Sequence, residues 1–455
     1  MSDAEVTVKS ATRVNDELLS SLRPPTLAWY LLAFFLGVVV ACGLAAFTWQ
    51  MMNGMYVTGK NRPVMWGFYI TGFVFWVGLS HSGTMVSSIL RLSRANWRRP
   101  ILRAAEAMTV FSITVAGLFP LIHLGRNWTF FYMIPYPNQR GLWPNFRSPL
   151  LWDMTAITAY IIGSSLFLYL GLLPDLAVVR DRTTGWRHKM YAVLAMGWRG
   201  SAHEWSVYHK ASTLMAALII PVAVSVHSIV AWDFAVTVVP GWHSTIFPPY
   251  FVIGAILSGV AAVITLMITI RKVFHLEDYL TPLHFDNMGK LLLVISLLWT
   301  YAYFVEVQIT WYAHEPIEWE VFSFLSSRYT PQLLIMLVGN SLLPIIFLCF
   351  KKLRRSIGVM LVVSLWVNVA MFIERFLIIV PTLSHKNMPF AWGSYSPSLV
   401  ETLVNLGALA GFVLLFILFA KFFPIVAISD VRELDVRKAE VPMGRTRVPS
   451  IAEKE

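Results

Sequence analysis

Ten runs of mostly apolar residues recur along the chain, and they limit its fold more than any other feature. A helix of about 20 apolar residues crosses a hydrocarbon layer of about 30 Å. Of the 455 residues 57% are hydrophobic and 13% charged, with a mean hydropathy of +0.63. The sequence therefore predicts an all-α integral membrane protein. We place its ten helices at 27–49, 64–90, 104–124, 151–173, 211–232, 249–270, 290–312, 331–350, 356–380 and 401–421.

No long hydrophilic block separates these runs, so we expect one membrane domain with short polar ends. The division is a cytoplasmic N-terminal segment at 1–26, the transmembrane domain at 27–425, and a polar, flexible cytoplasmic tail at 426–455. Acidic and basic residues precede the first apolar run. We therefore expect no cleavable signal peptide and a retained first helix.

The distribution of Lys and Arg predicts the orientation. Basic residues concentrate in the loops after helices 2, 4, 6 and 8, and residues 91–103 hold five arginines and no acidic residue. Because cytoplasmic loops carry the excess of positive charge, we expect a multi-pass protein of the bacterial inner membrane with both termini in the cytoplasm. The net charge of +11 then reflects this topology and contact with lipid head groups, so we expect no nucleic-acid partner.

The two cysteines do not form a metal-binding pattern. Cys42 and Cys349 each lie inside a predicted span, and the sequence has no CxxCH motif for covalent haem. Non-covalent haem is also disfavoured, because His81, His123 and His227 are expected at different depths or near the interfaces. We therefore expect no metal or haem on this chain, so a partner would have to hold any metal electron carrier.

Ionisable residues gather near the outer ends of the predicted helices. Placing a charge in hydrocarbon costs at least about 2.5 to 3.5 kcal/mol, so these groups should pair or line a polar cavity. For Asp153 and Glu401 the alternative is a side chain that merely reaches the head groups, and for Arg375 it is a structural ion pair. The eight residues are His123, Asp153, His227, Asp233, Glu306, Glu374, Arg375 and Glu401.

The cytoplasmic side holds fewer such groups. His81 is expected in the inner half of helix 2, and five Ser and Thr residues lie between positions 80 and 88. These hydroxyl groups fit either a proton route or close packing of helices through small residues. His203, Glu204 and His209 are expected in a solvated cytoplasmic loop.

An outer cluster of His, Asp, Glu and Arg suits the oxidation of a quinol, which releases two protons with its two electrons. A histidine and a carboxylate can hydrogen-bond the two hydroxyl groups and accept their protons, while apolar walls hold the ring. His227 and Asp233 are about 600° apart around one helix and do not share a face. Asp233 is therefore the better site candidate, and His227 is expected to stabilise packing or relay a proton.

Four segments also resemble a known family. They are HSGTMVSSILRLSRANWRRPILRAAEAMTVF (81–111), HSIVAWDFA with PGWHSTIFPPYFVIGAI (227–256), and IERFLIIVP (373–381). They resemble the polysulfide-reductase-like, or NrfD-like, membrane subunits, and are most similar to the quinol-oxidising membrane subunit of alternative complex III. This resemblance covers about 27–425 and implies two four-helix bundles with flanking helices.

The resemblance further implies a site for quinol, menaquinol or ubiquinol, at the periplasmic face. It implies His123, Asp153, Asp233 and Arg375 as catalytic residues, with His123, Asp153 and Arg375 binding the quinol. The implied partners are a periplasmic iron-sulfur subunit, multihaem cytochrome c subunits, a second NrfD-like membrane subunit and membrane lipids.

A proton path that couples quinol oxidation to proton translocation is a further hypothesis. It would use His81, His227, Glu306 and Glu374.

Three alternatives remain at the level of sequence. The chain also fits the second, related membrane subunit of the same complex. A secondary transporter would have helices broken at matching positions, and Pro120, Pro221 and Pro344 interrupt predicted spans, although the polar groups lie toward one face. A purely structural anchor for electron-transfer subunits would tolerate alanine throughout the outer cluster.

Overall fold

The computed structural model describes residues 11–134, 141, 143, 145–432, 440–443 and 446–449. Within these ranges it contains ten helices long and apolar enough to span a membrane, named α1 to α10 in chain order. Each of the ten predicted spans corresponds to one of them, which confirms the all-α membrane fold. Their bounds are Leu27–Asn53, Phe68–Leu92, Leu102–His123, Pro149–Asp181, Ala202–Ala235, Phe247–Val273, Pro282–Ala313, Thr330–Leu348, Ile357–Ser384 and Leu399–Phe422.

Eight of the helices form two four-helix bundles. In the first bundle α2, α3, α4 and α5 pack in a closed ring, and in the second α6, α7, α8 and α9 do the same. The bundles meet where α6 packs against α2 and α5, and where α9 packs against α2. We call the end at which α3 and α5 terminate and α4 and α6 begin the outer end, and the opposite one the inner end.

Helices α1 and α10 form a flanking pair that packs against the first bundle through α3. Their closest approach is at two glycines. A Cβ atom built on Gly43 would lie 3.0 Å from the Cα of Gly407, and the reverse distance is the same. Small residues let membrane helices approach closely, so this glycine pair determines where α1 and α10 cross.

Three helices are much longer than the apolar pattern predicts. At 1.5 Å per residue α4, α5 and α7 reach about 48 to 51 Å, so they extend beyond a hydrocarbon layer of about 30 Å. Helix α5 begins with a capping box in which Ser201 and Glu204 hydrogen-bond each other's backbone N–H groups. His203, Glu204 and His209 therefore lie in the first turns of α5, and their prediction as loop residues was wrong.

The prolines do not break the helices in the way that the transporter alternative requires. Pro120 and Pro221 lie inside continuous helices α3 and α5. Pro344 follows a π-helical segment at Val338–Leu342, within α8. This segment packs on α9, where a Cβ atom on Gly339 would come within 2.4 Å of Ala370. The irregularity at α8 is thus a site of close helix packing.

Shorter elements connect the spans. The short α-helices are Ala11–Leu18, Gly185–Leu194, Pro316–Arg328 and Lys351–Arg354. The 3₁₀ helices are Leu19–Leu22, Met55–Val57, Asn96–Arg98, Asn127–Met133 and Pro389–Ala391. Near the C-terminus, strands β1 (Glu440–Met443) and β2 (Thr446–Pro449) pair antiparallel.

The beginning of the expected flexible tail is packed against the membrane domain. Val426, Ile428 and Val431 are buried, and residues 428–432 are helical. The backbone N–H groups of Ile428 and Ser429 donate to the buried carboxylate of Asp175 on α4. Residues 426–432 thus dock at the inner end, which corrects the prediction of flexibility there. The positions 433–439, 444–445 and 450–455 lie outside the described residues.

Candidate functional site

Two carboxyl groups meet near the outer end of the first bundle. Asp153, in the second turn of α4, and Asp233, in the last turn of α5, are each 7% exposed, and their carboxyl groups are neighbours. Two ionised carboxylates repel each other and only accept hydrogen bonds, so a proton shared between the two groups would stabilise this contact. A carboxyl pair of this kind can release or take up protons beside an apolar surface.

Each of these aspartates follows a tryptophan, and the tryptophans also pair. Trp152 and Trp232 meet edge to face with ring centroids 6.0 Å apart. They are 38% and 36% exposed, so they form the outward side of the α4–α5 contact while the carboxyl groups face inward. A flat ring arriving from the lipid would meet indole surfaces first and the carboxyl pair behind them.

His123, the last residue of α3, has a partner that the sequence analysis missed. The Nζ atom of Lys60 lies 2.6 Å from Nδ1 of His123 and 3.3 Å from its carbonyl oxygen. Lys60 belongs to the loop 54–67 between α1 and α2. Nothing in the sequence indicated this pair, because a lysine in a polar loop is usually solvated and its partner lies far away along the chain.

Glu401 holds this loop in place. Its side chain is fully buried, accepts hydrogen bonds from the backbone N–H of Gly59 at 2.8 Å and from the hydroxyl of Tyr395 at 2.9 Å, and caps α10 together with Ser398. It therefore does not extend to the head groups. Its carboxylate interacts electrostatically with Lys60. Glu401 thus anchors the loop that carries the partner of His123.

Burial determines the charge state of Lys60. Removal from water lowers the pKa of its ammonium group to about 7, although the nearby carboxylate of Glu401 acts in the opposite direction. The ammonium also lies 5.1 Å from the centroid of the Tyr69 ring. A lysine with a pKa near 7 can change its protonation state under ordinary conditions, which a solvated lysine cannot.

A second group of ring side chains lies at the junction of the two bundles. His81 stacks on Tyr160 with centroids 4.6 Å apart, and its ring lies 4.8 Å from that of His227. His81 donates through Nδ1 to the Val77 carbonyl at 2.6 Å, since a carbonyl only accepts. His227 also contacts Phe251 of α6. The prediction that His81 and His227 lie at different depths was wrong, because their rings are in contact in the middle of the protein.

Arg375 lies at this junction and not beside the aspartate pair. Its Nη1 atom forms an ion pair with Oε2 of Glu374 at 3.3 Å, and its guanidinium lies 4.9 Å from the centroid of the Phe251 ring. Within the described part of the chain, Arg375 forms no ion pair with Asp153 or Asp233. The expectation that it keeps those two carboxylates charged is therefore not supported.

Glu374 connects the junction to a cavity in the second bundle. Its Oε1 atom accepts hydrogen bonds from the Tyr250 hydroxyl and from Nε1 of Trp299, the latter at 3.0 Å. The cavity has a volume of ≈ 100 Å³, and its lining includes Glu374, Glu306 and Glu318. A cavity for a drug-sized ligand measures roughly 300–1,000 Å³, whereas a water molecule needs only about 10–15 Å³. This space suits a few water molecules and is too small for a quinol.

The outer end of this cavity is acidic. Ser244 donates to Oε2 of Glu306 at 2.7 Å, and the backbone N–H of Gly241 donates to Oε2 of Glu318 at 2.5 Å. Burial raises the pKa of Glu318, with a smaller contribution from the negative charge of Glu315. Three carboxyl groups thus lie along one cavity that leads from the junction to the outer end.

A buried ionic network at the inner end was also missed by the sequence analysis. Ser87 donates to Glu106 at 2.6 Å, and Arg103 forms an ion pair with Asp175 at 3.1 Å. All four side chains are buried. The signal was present, because Glu106 and Asp175 are acidic residues in largely apolar helices. The predicted helix 151–173 ended before Asp175, whereas Glu106 lay inside the predicted helix 104–124 and was overlooked.

The expected outer cluster of eight residues is therefore divided into separate groups. His123 and Glu401 lie around Lys60, Asp153 pairs with Asp233, and the other four extend from the junction into the second bundle. As predicted, His227 and Asp233 face different neighbours. Among the described residues, no group of three or more His, Cys, Asp or Glu side chains is arranged to hold a metal ion. Residues 135–140, 142 and 144, between α3 and α4, lie outside the described residues.

Comparison with known proteins identifies a family. The family model described as "Polysulphide reductase, NrfD" matches residues 56–385. This range includes α2 to α9 and therefore both four-helix bundles.

Individual relatives are distant but similar in length. A candidate dimethyl sulfoxide reductase membrane subunit of Halobacterium salinarum is 25% identical over 82% of this chain and 86% of its own. A selenate reductase subunit of Mesobacillus selenatarsenatis is 22% identical over 86% and 93%. An Hdr-like menaquinol oxidoreductase integral membrane subunit of Archaeoglobus fulgidus is 21% identical over 90% and 96%.

Proposed function

This chain belongs to the NrfD polysulphide reductase family, and on that premise we propose that it is the quinol-oxidising membrane subunit of an electron-transfer complex. Two relatives are named as subunits of reductases, and a third as a subunit of a menaquinol oxidoreductase. Those names support a redox complex with a quinol as the electron source. Among such complexes we favour the alternative complex III type, on the resemblance of segments 81–111 and 227–256, and menaquinol or ubiquinol as the substrate.

The observation that carries the proposal is the buried Asp153–Asp233 pair. Two carboxyl groups that share a proton form a base whose affinity for a further proton can be tuned by burial. The tryptophan pair in front of them offers aromatic surface to a quinol head group. A purely structural role would leave two buried acids in contact with no compensating cation among their described neighbours, which costs stability.

The reaction removes two protons and two electrons from the quinol. We propose that the head group lies between the outer ends of α3, α4 and α5, with one hydroxyl group on His123 and the other on Asp153. His123 and the aspartate pair each accept one proton as the electrons leave, and Asp233 passes the second proton onward. The product is the quinone, which returns to the lipid.

The electrons leave this chain for carriers held by partners. We propose a periplasmic iron-sulfur subunit docked on the outer end, with multihaem cytochrome c subunits and a second NrfD-like membrane subunit in the same complex. The exposed aromatic side chains near the outer ends of α3 and α4, including Trp128 and Phe130, suit a docking surface or an interfacial belt. In this arrangement the protons would leave through side chains of this chain and the electrons through metal carriers of the partners. Proton transfer and electron transfer would then follow separate routes.

We further propose that quinol oxidation is coupled to proton translocation. The ring contact of His81 with His227, the Arg375–Glu374 ion pair and the cavity toward Glu306 together form a polar route from the centre to the outer end. One of these buried atoms, Nη2 of Arg375, has no hydrogen-bond partner among the described residues. Buried polar atoms are normally satisfied, so water molecules between these groups would complete the route.

The proposal is tested on the complex purified from native membranes. Spectra and metal analysis would identify iron-sulfur and haem c carriers, and the addition of menaquinol should then reduce them. In an Asp153→Asn variant the carriers should be present but their reduction by quinol should be lost, whereas Asp181→Asn, an exposed acid at the inner end of α4, should behave as wild type.

A chain that purifies alone, without metal and indifferent to quinol, would contradict the proposal and favour a transporter. Normal reduction of the carriers in the Asp153→Asn complex would instead favour a structural anchor.

A further inference from the structure

Lys60 is held against His123 by the architecture of its loop. On one side Gly59 donates its backbone N–H to Glu401, and on the other Asn61 donates its side-chain amide to the Ser394 carbonyl at 2.8 Å. The lysine side chain is partly buried and points toward Nδ1 of His123. Because one neighbour is fixed to the first turn of α10 and the other to the loop before it, the short Lys60–His123 contact is preorganised.

The protonation state of Lys60 determines which nitrogen of His123 carries hydrogen. An ammonium group only donates, so against charged Lys60 the neutral imidazole must accept at Nδ1 and carry its hydrogen on Nε2. A neutral amine has a lone pair, so Nδ1–H can then donate to Nζ while Nε2 is left without hydrogen. Only the second arrangement allows Nε2 to take a proton from a substrate.

Nε2 is the nitrogen available to a ligand. Within the described residues its ring forms hydrogen bonds through Nδ1 alone, and the His123 side chain is partly exposed. The Lys60 side chain is also partly exposed, and at the outer end it can exchange protons with water. The two side chains therefore connect a ligand-facing nitrogen to the outer solvent.

The charged and titratable groups around Lys60 are few. Glu401 faces it from α10 and Tyr69 from α2, and Tyr395 contacts Glu401 from the preceding loop. Burial lowers the pKa of Lys60 to about 7 against the opposing influence of Glu401. The amine form therefore becomes the major one above about pH 7, and the ammonium form below it.

We propose that Lys60 is the positioning residue of His123 and the acceptor of the proton that His123 takes from the quinol. This inference rests on the quinol site proposed above. As the quinol O–H bond breaks, a new N–H bond forms at Nε2, the Nδ1–H bond breaks and an N–H bond forms at Nζ. The imidazole stays neutral in its other tautomer, the ammonium releases the proton to the outer solvent, and the electrons pass to the iron-sulfur carrier of the partner.

The experiment is the pH profile of quinol oxidation by the intact complex, with kcat and KM determined between pH 5.5 and 8.5. For wild type, kcat should rise with pH through about 7, since the amine form is required. Lys60→Arg keeps a charged donor against Nδ1 at every pH, so kcat should fall on the order of 10²-fold with KM nearly unchanged.

The Lys60→Gln variant tests whether the titration of Lys60 causes the pH dependence. Its amide oxygen can accept from Nδ1–H without titrating, so it should retain more activity than Lys60→Arg and lose the rise near pH 7. Lys386→Gln, a lysine in the loop after α9, is the matched control and should keep the wild-type profile. The polypeptide composition of each purified complex separates loss of assembly from loss of activity.

The outcomes distinguish this inference from the function on which it rests. If wild type oxidises quinol but both Lys60 variants keep its rate and pH profile, Lys60 has no such role and the quinol site stands. If Lys60→Arg is as active as Lys60→Gln, the tautomer argument is wrong. If the wild-type complex does not oxidise quinol, the proposed function itself fails.

Discussion

The imidazole rings of His81 and His227 lie 4.8 Å apart, where α2 of the first bundle meets α5 beside the second bundle. By helical rise, His81 is about 20 Å from the outer end of α2, and His227 about 12 Å from the outer end of α5. Because the two rings nevertheless meet, α2 extends further at the outer end than α5 does. This contact places two titratable rings at the centre of the protein, between the proposed quinol site and the cavity of the second bundle.

Replacing His81 should uncouple electron transfer from proton translocation. In a His81→Ala complex in liposomes, the proton-to-electron ratio should fall to the protons that quinol oxidation itself releases, because the central relay is interrupted. The rate of quinol oxidation without a proton gradient should change little. His203→Ala, an exposed histidine in the first turn of α5, is the control. An unchanged ratio in His81→Ala would remove His81 from any proton path.

The ten spans could be predicted from the sequence because apolar runs alone determine which segments can cross a bilayer. The lengths of α4, α5 and α7 could not, because their inner turns are polar and are stabilised by caps such as Ser201 with Glu204. The bundle arrangement followed from resemblance and is confirmed by the helix packing.

The site was predictable only in part. Acidic residues and histidines inside apolar helices stand out in the sequence, because placing a charge in hydrocarbon costs free energy. Asp153 and Asp233 could therefore be named before their contact was known. The partner of each residue is a tertiary property. Lys60 was missed because its burial depends on the fold of a loop, and Arg375 was placed with the wrong carboxylates because helix depth says nothing about which neighbour a side chain faces.

Removing the charge of Glu401 should shift the pH profile toward acid. The Glu401 carboxylate raises the pKa of Lys60, so in Glu401→Gln the amine form should prevail at lower pH. We expect the rise in quinol oxidation to move down by up to about one pH unit. Glu315→Gln, an exposed acid before the Pro316–Arg328 helix, should leave the profile in place. A shift toward alkaline pH in Glu401→Gln would contradict this electrostatic assignment.

The crossing of α1 with α10 should tolerate no side chain at Gly43. A Gly43→Leu variant must separate the helices, since even a Cβ atom there lies 3.0 Å from Gly407, and overpacking of this kind costs about 1–3 kcal/mol. Thermal unfolding of the purified complex should show a lower Tm. Gly37→Leu on the same helix meets nothing within 4 Å and should keep the wild-type Tm. Equal Tm values for the two variants would disprove the close crossing.

The Arg103–Asp175 ion pair should hold the beginning of the C-terminal segment. Asp175→Asn leaves Arg103 as a buried charge without its ion-pair partner, which costs about 3–5 kcal/mol, and weakens the acceptor for Ile428 and Ser429. We expect faster protease cleavage near residues 426–432. Asp16→Asn removes an exposed partner of Arg182 and should change little. If cleavage of Asp175→Asn matched wild type, the docking of this segment would have another cause.

The central claim, that Asp153 and Asp233 act together on a quinol, is tested most directly by a double-mutant cycle of quinol oxidation. We predict that Asp153→Asn and Asp233→Asn each lower kcat/KM by about 10²- to 10⁴-fold, with Asp181→Asn unchanged. The double variant should be no slower than the slower single variant, because groups that act as one unit are not additive. Wild-type rates in either single variant, or a double variant whose loss equals the product of the two, would contradict the account.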